Sequence, residues 1–382
     1  MFYYLSFIRP PPVQAGPYGT ILITPQIAND LRTEPYTGEQ DLYYSWSLLG
    51  PKPITTKANK FTTWRQGTAY KEIALPVPPG VREGQYWRLI LTGQQQHAGV
   101  PFPDSVDLRA PDLGATPFPV MSMPIAFIGR GSKGAAKQEL IERTYLVPCR
   151  GEDPAQRILA GLSFTENTSF DLDKKIWDSG IGLSSWFVDL HENPSTTPRM
   201  QKFREALFSE EPRTILELGS GIGMLSIVLS VLRSRPLALE ENGKDRIVAT
   251  DVGKSKSAMP LLEENITANA QYFQSTKPEA KVLNWDDDLS EEILNLGGFD
   301  AVVMADVTYN TASFTSLCRT LERVCKMGDK SPILFLGYKE RDAAERSFWK
   351  DVNQHGIGFE KIGERAGAGG LPVEIWAGRM RS

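Results

Sequence analysis

The sequence predicts an α/β protein in which a doubly wound, largely parallel sheet carries helices on both faces, preceded by a β-rich domain. Two observations predict this fold class. From about residue 155, apolar runs of strand length alternate with stretches of helical period, a pattern typical of βαβ units. Before about residue 125, short apolar or alternating runs are separated by turns that contain proline and glycine, as in all-β domains.

The N-terminal region, residues 1–125, is predicted to be a β-rich accessory domain. Its strand candidates are "GTILIT", "DLYYSWSLL", "KEIALPV" and "QYWRLILTG". Its aromatic residues favour a buried core, with a recognition surface as the alternative; they are Tyr43, Tyr44, Trp46, Trp64, Tyr86 and Trp87. Residues 126–154 are predicted to be a linker, because "GRGSKGAAKQ" is rich in small and basic residues.

Residues 155–382 are predicted to be the α/β domain. The strand candidates are, in order, "RTILELG", "RIVATD", "AKVLNW", "FDAVVMAD", "SPILFLGY", "GFEKIGE" and "PVEIWAGR". The helix candidates between them are "GMLSIVLSVLR", "KSAMPLLEENITANAQYF", "FTSLCRTLERVCK" and "ERDAAERSFWKDV". The stretch "RSRPLALEENGKD" is predicted to be a loop insertion. Ligands of such sheets bind at the carboxyl ends of the strands.

Composition excludes several classes of protein. The chain of 382 residues is 41% hydrophobic and 23% charged, with a net charge of −4, which disfavours nucleic-acid binding. No apolar stretch is long enough to span a membrane, and the N-terminus lacks the basic region of a secretory signal. Three cysteines and three scattered histidines predict a reducing compartment and no metal site. We therefore expect a cytoplasmic protein that is not secreted, with the nucleus as a second compartment.

The motif "ELGSGIG", Glu217 to Gly223, follows the first strand of the α/β domain and precedes a helix. Glycine at such a junction lets the backbone turn tightly and approach a ligand. Dinucleotide sites space their glycines G-x-G-x-x-G, whereas the spacing here is G-x-G-x-G. A carboxylate at Glu217 would repel a pyrophosphate but favour the cationic end of S-adenosylmethionine. The motif therefore favours S-adenosylmethionine as the cofactor.

Asp251 ends the second strand of this domain, where an acidic side chain can accept hydrogen bonds from ribose hydroxyls. The alternative is that Asp251 is the N-cap of the following helix. The strand-end position and the preceding glycine turn together favour ribose binding.

In combination, these motifs resemble the seven-β-strand methyltransferases of family 16. The motifs occur in the same order as in that family: "ILELGSGIG", "ATD", "LNW" and "ADVTY". The segment "KKIWDSGIGLSSWF" lies upstream of them. That family includes the lysine methyltransferases of Hsp70, valosin-containing protein and elongation factors. The resemblance covers roughly residues 160–382 and implies a Rossmann-like seven-stranded methyltransferase sheet that binds S-adenosylmethionine.

The resemblance also implies roles for individual residues. It implies a cofactor site formed by Trp177, Glu217, Gly219, Ser220, Gly221, Gly223, Asp251, Trp285, Asp286 and Ala305, with Asp287 as an alternative to Asp286. It places Asp306 and Tyr309, the "DxxY" signature, facing the acceptor as the catalytic residues. The alternatives are core packing for the two tryptophans and a structural cap after the fourth strand for Asp306 and Tyr309.

The resemblance implies a protein-lysine N-methyltransferase with a protein substrate and no membrane partner. The chain lacks the N-P-P-[YF] element of many amide and adenine methyltransferases, and "ADVTY" stands in its place. We expect the β-rich domain to recruit the substrate or to act as a scaffold. The alternatives are a small-molecule, histidine or arginine methyltransferase, and a non-catalytic interaction protein that retains the cofactor pocket.

Overall fold

The computed structural model describes residues 1–51, 53–97, 102–129, 136–150, 157–169, 173–234, 244–253, 258–273 and 275–381. It divides the chain into two compact units. The first unit comprises Met1–Tyr145, Ser163–Leu172 and Gly367–Gly369, and the second comprises Leu146–Leu162, Asp173–Ala366 and Gly370–Ser382. Most of the predicted loop insertion and the middle of "GRGSKGAAKQ" lie outside the described residues.

The N-terminal region is β-rich, as its sequence predicts. Its strands are β1 (Tyr4–Arg9), β2 (Gln14–Ala15), β3 (Thr20–Ala28), β4 (Gln40–Leu48), β5 (Ile54–Thr55), β6 (Asn59–Trp64), β7 (Ile73–Pro76), β8 (Tyr86–Thr92), β9 (Ser105–Asp107), β10 (Val120–Ser122) and β11 (Ile125–Phe127). Two further strands follow them, β12 (Leu140–Arg150) and β13 (Arg157–Asn167). Strands β1, β3 and β7 form one sheet, and β4 to β6 and β8 to β13 belong with β2 to another.

The core of the first unit contains the tryptophans of the strand candidates. Trp46, Trp64 and Trp87 are each 5% exposed or less, and they pack with Leu89 and Phe127. The core interpretation therefore holds for the tryptophans. Tyr86, in contrast, is 53% exposed.

The second unit alternates helices and strands. Its helices are α1 (Asp178–Glu192), α2 (Pro198–Phe208), α3 (Met224–Arg233), α4 (Met259–Ala268), α5 (Glu291–Leu294), α6 (Phe314–Cys325) and α7 (Ser347–Gln354). Its strands are β14 (Thr214–Leu218), β15 (Arg246–Asp251), β16 (Glu279–Val282), β17 (Ala301–Ala305), β18 (Ile333–Tyr338), β19 (Ile357–Arg365) and β20 (Val373–Met380).

Within the described residues, seven strands of this unit form one sheet in the order β16-β15-β14-β17-β18-β20-β19. Strands β14 to β18 run parallel, and β20 pairs antiparallel with both β18 and β19. The chain moves outward on both sides of β14, so the strand order reverses there. This reversal opens a crevice at the carboxyl end of β14, where such sheets bind ligands. The predicted α/β fold class is confirmed.

Helix α3 shows why the motif segment folds as it does. Every residue of α3 is buried, and its predominantly apolar sequence lets it pack against β15 and α1. Gly223 precedes the helix in the left-handed region, with φ 94°, a backbone conformation that glycine adopts at low energetic cost. Strand and helix therefore meet in a tight turn, which begins at Gly219.

Three predicted elements differ from the structure. The third strand of the α/β domain ends at Val282, so Trp285 lies three residues beyond the strand rather than at its end. The helix predicted over "KSAMPLLEENITANAQYF" ends at Ala268, and a single 3₁₀ turn continues it. "ERDAAERSFWKDV" forms a 3₁₀ turn, Ala343–Arg346, followed by α7. In each case the apolar periodicity locates the element, but local hydrogen bonding decides where it ends.

The predicted domain boundaries remain predictions. The first compact unit continues to Tyr145, and strands β11 and β12 both include residues of the predicted linker 126–154. In the described part of the chain, no helix is long and apolar enough to cross a membrane. The described residues likewise contain no cluster of three metal-ligating side chains.

Candidate active site at the carboxyl edge of the sheet

The turn after β14 brings bare backbone to the carboxyl edge of the sheet. Gly219 and Gly221 have φ values of 66° and 51°, in the left-handed region. A Cβ on Gly219 would lie 2.9 Å from Val307 Cγ1 and 3.3 Å from Trp285 Cζ2. Glycine is therefore needed at position 219 for both backbone conformation and space. The turn places Ser220 between two glycines, and its buried Oγ lacks a hydrogen-bond partner among the described residues.

Asp251 lies beside this turn. Its Oδ2 accepts a hydrogen bond from Gly221 N at 2.7 Å, and its Oδ1 accepts one from Val252 N at 2.7 Å. Burial raises the pKa of Asp251, and the nearby charge of Asp173 raises it further. Helix α4 begins at Met259 with Ala258 as its N-cap, so the N-cap alternative for Asp251 is wrong.

Glu217 is buried beneath the turn and faces helix α3. Its Oε2 accepts hydrogen bonds from the backbone N of Ser226, at 3.0 Å, and from the Ser226 hydroxyl. Burial raises the pKa of Glu217 to about 8, against the opposing effect of the Ser226 hydrogen bonds. Glu217 is only 3% exposed, and its hydrogen bonds join the end of β14 to the first turn of α3.

The segment after β16 brings one of its two predicted residues to the turn. Trp285 packs its ring edge toward Gly219 and is partly buried against the core. Asp286 is exposed, and its Oδ1 accepts a hydrogen bond from Ser316 Oγ at 2.7 Å. Asp287 accepts one from Asn284 Nδ2 at 2.9 Å. Both carboxylates thus bond to neighbouring protein groups, whereas Trp285 lines the glycine turn.

Ala305 and Asp306 lie at the end of β17. Ala305 pairs in register with Gly337 of β18. Asp306 has a φ of 53°, which is uncommon for a residue with a side chain. Its Oδ2 accepts a hydrogen bond from Ser179 N at 3.1 Å, and its Oδ1 pairs with Arg341 Nη2 at 2.9 Å. The carboxylate therefore caps the first turn of α1 and is held in place by Arg341.

Tyr309 stands at the open side of the same edge. It is 53% exposed. Its pKa is raised by partial burial and by the negative charges of Asp173 and Asp251. The phenol thus shares the electrostatic environment of the glycine turn.

Of the segment 173–177, "DKKIW", sequence reasoning named Trp177 as a site residue but missed Asp173 and Lys175. The carbonyl oxygen of Asp173 would be 3.4 Å from a Cβ placed on Gly221. The ring of Trp177 has Lys175 Nζ 4.5 Å and Arg341 Cζ 4.9 Å from its centroid. Such distances are typical of cation–π contacts. The predicted Trp177 therefore lies beside the Arg341–Asp306 pair.

A buried ion pair fixes the same helix end. Lys339 Nζ lies 2.7 Å from Asp178 Oδ2, and the two side chains are 6% and 0% exposed. Glu345 is buried nearby and accepts a long hydrogen bond from Arg341 N, at 3.4 Å; burial raises the pKa of Glu345 to about 7. The available signal was the charged run "KER", residues 339–341, directly after a buried strand.

A family model described as lysine methyltransferase matches residues 159–355. The chain belongs to this family. The matched range includes α1, strands β14 to β18 and every predicted site residue.

Curated relatives of the family show moderate similarity. The chain is 25% identical over 147 residues to a calmodulin-lysine N-methyltransferase of Arabidopsis thaliana, covering 38% of this chain and 44% of that protein. It is 32% identical over 110 residues to the protein N-lysine methyltransferase METTL21A of Mus musculus, covering 29% and 43%. It is 26% identical over 224 residues to the protein-lysine N-methyltransferase EEF2KMT of Homo sapiens, covering 57% and 59%. The chain spans about half the length of the curated relatives it matches.

Similarity to solved structures is more distant. A SAM-dependent methyltransferase from Agrobacterium tumefaciens aligns over 66% of this chain and 74% of that one, with 13% identity and a TM-score of 0.38. A magnesium protoporphyrin IX methyltransferase from Synechocystis aligns over 51% and 93%, with 13% identity and a TM-score of 0.32. The fold assignment therefore rests on the strand order.

Proposed function

We propose that the protein transfers a methyl group from S-adenosylmethionine to a nitrogen of a protein substrate, a lysine side chain. The observation that carries this proposal is the pairing of Asp251 with the Gly221 backbone at the strand-order reversal. Membership of the lysine methyltransferase family supports the acceptor type.

The residues at the glycine turn fit the proposed cofactor. Gly219 and Gly221, which both have positive φ, present backbone without side chains to the crevice. Ser220 offers a buried hydroxyl that has no partner in the described residues, and each oxygen of Asp251 has a further lone pair for a ribose hydroxyl. Trp285, next to Gly219, provides an apolar surface for a base. When bound, the cofactor would supply an electrophilic methyl group on a sulfonium.

On the acceptor side, the protein has to hold an amine in line and let it lose its proton. An unperturbed lysine has a pKa near about 10.4, and an aromatic, partly dehydrated environment favours the neutral amine. Trp177 and Tyr309 supply aromatic surface at this edge. We assign Asp306 a positioning role, because its carboxylate binds Ser179 N and Arg341 and so fixes helix α1. Correct alignment is the main contribution that such a site makes to a displacement reaction.

We also propose a role and a location for the whole protein. The β-rich N-terminal region would recruit the substrate. The three cysteines of the protein are free thiols and are buried. This supports a reducing compartment such as the cytoplasm or the nucleus.

Two measurements test this function. Isothermal titration with S-adenosylmethionine should give saturable heat for the wild type, and Asp251→Ala should abolish it while Asp286→Ala retains it. Incubation with methyl-labelled cofactor and a cell lysate should label a protein band. Tyr309→Ala should reduce that labelling, whereas Tyr309→Phe, which keeps the ring of this half-exposed residue, should reduce it less. Absence of heat, or label only in small molecules or nucleic acid, would contradict the proposal.

A further inference from the structure

Asp173 lies against the glycine turn through its backbone. Its carbonyl oxygen would be 3.4 Å from a Cβ on Gly221, an ordinary van der Waals distance. The backbone N of Gly221 in turn donates the hydrogen bond to Asp251 Oδ2, at 2.7 Å. Asp173 therefore contacts the turn that would hold the cofactor, although helices α1 and α2 and strand β14 separate it from that turn in the sequence.

The charge of Asp173 acts on both sides of the crevice. The residue is half-buried. Its carboxylate raises the pKa of Asp251, which ends β15, and the pKa of Tyr309, which follows β17. These two strands flank β14 in the sheet. Because salt and water screen a surface charge beyond about 10 Å, a carboxylate that acts on both groups is close to the end of β14.

Glu217 was expected to provide the negative charge that favours a cationic cofactor, but the structure places it differently. It is buried, and its carboxyl accepts hydrogen bonds from Ser226 of α3. Burial raises the pKa of Glu217 to about 8, so the group is mostly protonated at neutral pH. In that state it carries no charge with which to attract a cation. Asp173, half-buried beside Gly221, is a second carboxyl group at the same turn.

We propose that Asp173 is a specificity-determining residue of the cofactor site, whose negative charge favours S-adenosylmethionine over S-adenosylhomocysteine. This inference rests on the proposed methyltransferase function. The two molecules differ at sulfur, because the methyl donor is a positively charged sulfonium and the product is a neutral thioether. A carboxylate at the site attracts the donor more strongly than the product. Such a preference helps the spent cofactor to be replaced after each transfer.

The test is titration calorimetry of the full chain with each molecule, which gives the ratio of their dissociation constants. Asp173→Asn removes the charge but keeps the size of the side chain and the backbone carbonyl against Gly221. We expect the affinity for S-adenosylmethionine to fall about tenfold, equivalent to about 1.4 kcal/mol, and that for S-adenosylhomocysteine to change less than about threefold. Retained binding of S-adenosylhomocysteine shows that the variant is folded.

A matched variant controls for net charge. Asp329→Asn makes the same change in an exposed residue that precedes β18, at the amino edge of the sheet, and should keep the wild-type ratio. An equal fall of the ratio in Asp329→Asn would overturn the inference.

An unchanged ratio in Asp173→Asn, whether both affinities fall or neither does, would also overturn it. If that variant loses methylation of lysate proteins while the ratio is unchanged, the charge serves the acceptor amine instead, and the inference is wrong. A wild-type protein that binds neither molecule would refute the proposed function itself.

Discussion

The buried carboxyl of Glu217 makes the stability of the second unit depend on pH in a predictable direction. Its pKa is raised from an ordinary 4.5 to about 8 in the folded protein. The folded state therefore binds this proton more tightly than the unfolded state does. Stability from this group is fully present below about pH 4.5 and is lost as the pH rises through about 8.

The substitution Glu217→Gln isolates this contribution. Glutamine keeps an oxygen that can accept hydrogen bonds from Ser226 but cannot ionise. One pKa unit corresponds to about 1.4 kcal/mol, so a shift from 4.5 to about 8 amounts to about 5 kcal/mol at most. The quantity to compare is the free energy of unfolding of Glu217→Gln minus that of the wild type. We expect this difference to increase by several kcal/mol from mildly acidic to alkaline pH, because only the wild type loses the contribution of Glu217.

Urea unfolding across this pH range measures the difference directly. The other ionisable groups, including Asp251, are common to both proteins, so their contributions largely cancel. Ser226→Ala provides a control, because it removes the hydroxyl that lowers the pKa of Glu217 and should move the transition to higher pH. Equal dependence of wild type and Glu217→Gln on pH would refute the reasoning.

Three further predictions concern the site and its supports. Asp251→Asn, which loses the carboxylate charge, should weaken cofactor binding at least about tenfold in titration calorimetry, because a hydrogen bond to a charged group contributes about 1.5–3 kcal/mol. Unchanged affinity would exclude ribose binding by Asp251. Gly219→Ala should destabilise the protein by about 1–3 kcal/mol in urea unfolding, because the alanine Cβ would lie 2.9 Å from Val307 Cγ1. Adding Val307→Ala to this variant should recover part of that loss, and no recovery would contradict the steric argument. Asp178→Asn should cost about 3–5 kcal/mol, because it removes the carboxylate charge that pairs with the buried Lys339 ammonium. The double variant with Lys339→Met should be more stable than Asp178→Asn, and an equal loss would show that the pair itself is not responsible.

The parts of the site that are local in sequence were predictable. The glycine turn and Asp251 each follow an apolar strand, and parallel strands bring their carboxyl ends to one edge. Glu217 was expected to face the cationic end of the cofactor, but its contact with Ser226 depends on the rotation of helix α3 above the sheet. Periodicity alone does not give that rotation.

The acceptor side was less predictable because its groups are remote in sequence. Arg341 and Asp306 are 35 residues apart, and Ser179 lies 127 residues before Asp306. These groups meet only because β17 and β18 are adjacent and α1 packs across both. Asp306 could be recognised in the sequence as part of a motif, whereas its partners Ser179 and Arg341 could be identified only from the tertiary structure.

The packing of helix α1 has a consequence for the synthesis of the protein. Gly337 approaches α1 so closely that a Cβ there would lie 2.7 Å from the Ser179 carbonyl oxygen, and α1 also packs on β19 and β20. The ribosome makes this largely apolar helix roughly 160 residues before Gly337, a delay of roughly 8 to 32 s at ~5–20 residues per second. Throughout that interval α1 lacks β19 and β20, and β18 is not yet complete. The nascent chain should therefore expose a chaperone-binding segment at Asp178–Glu192 until synthesis is almost complete.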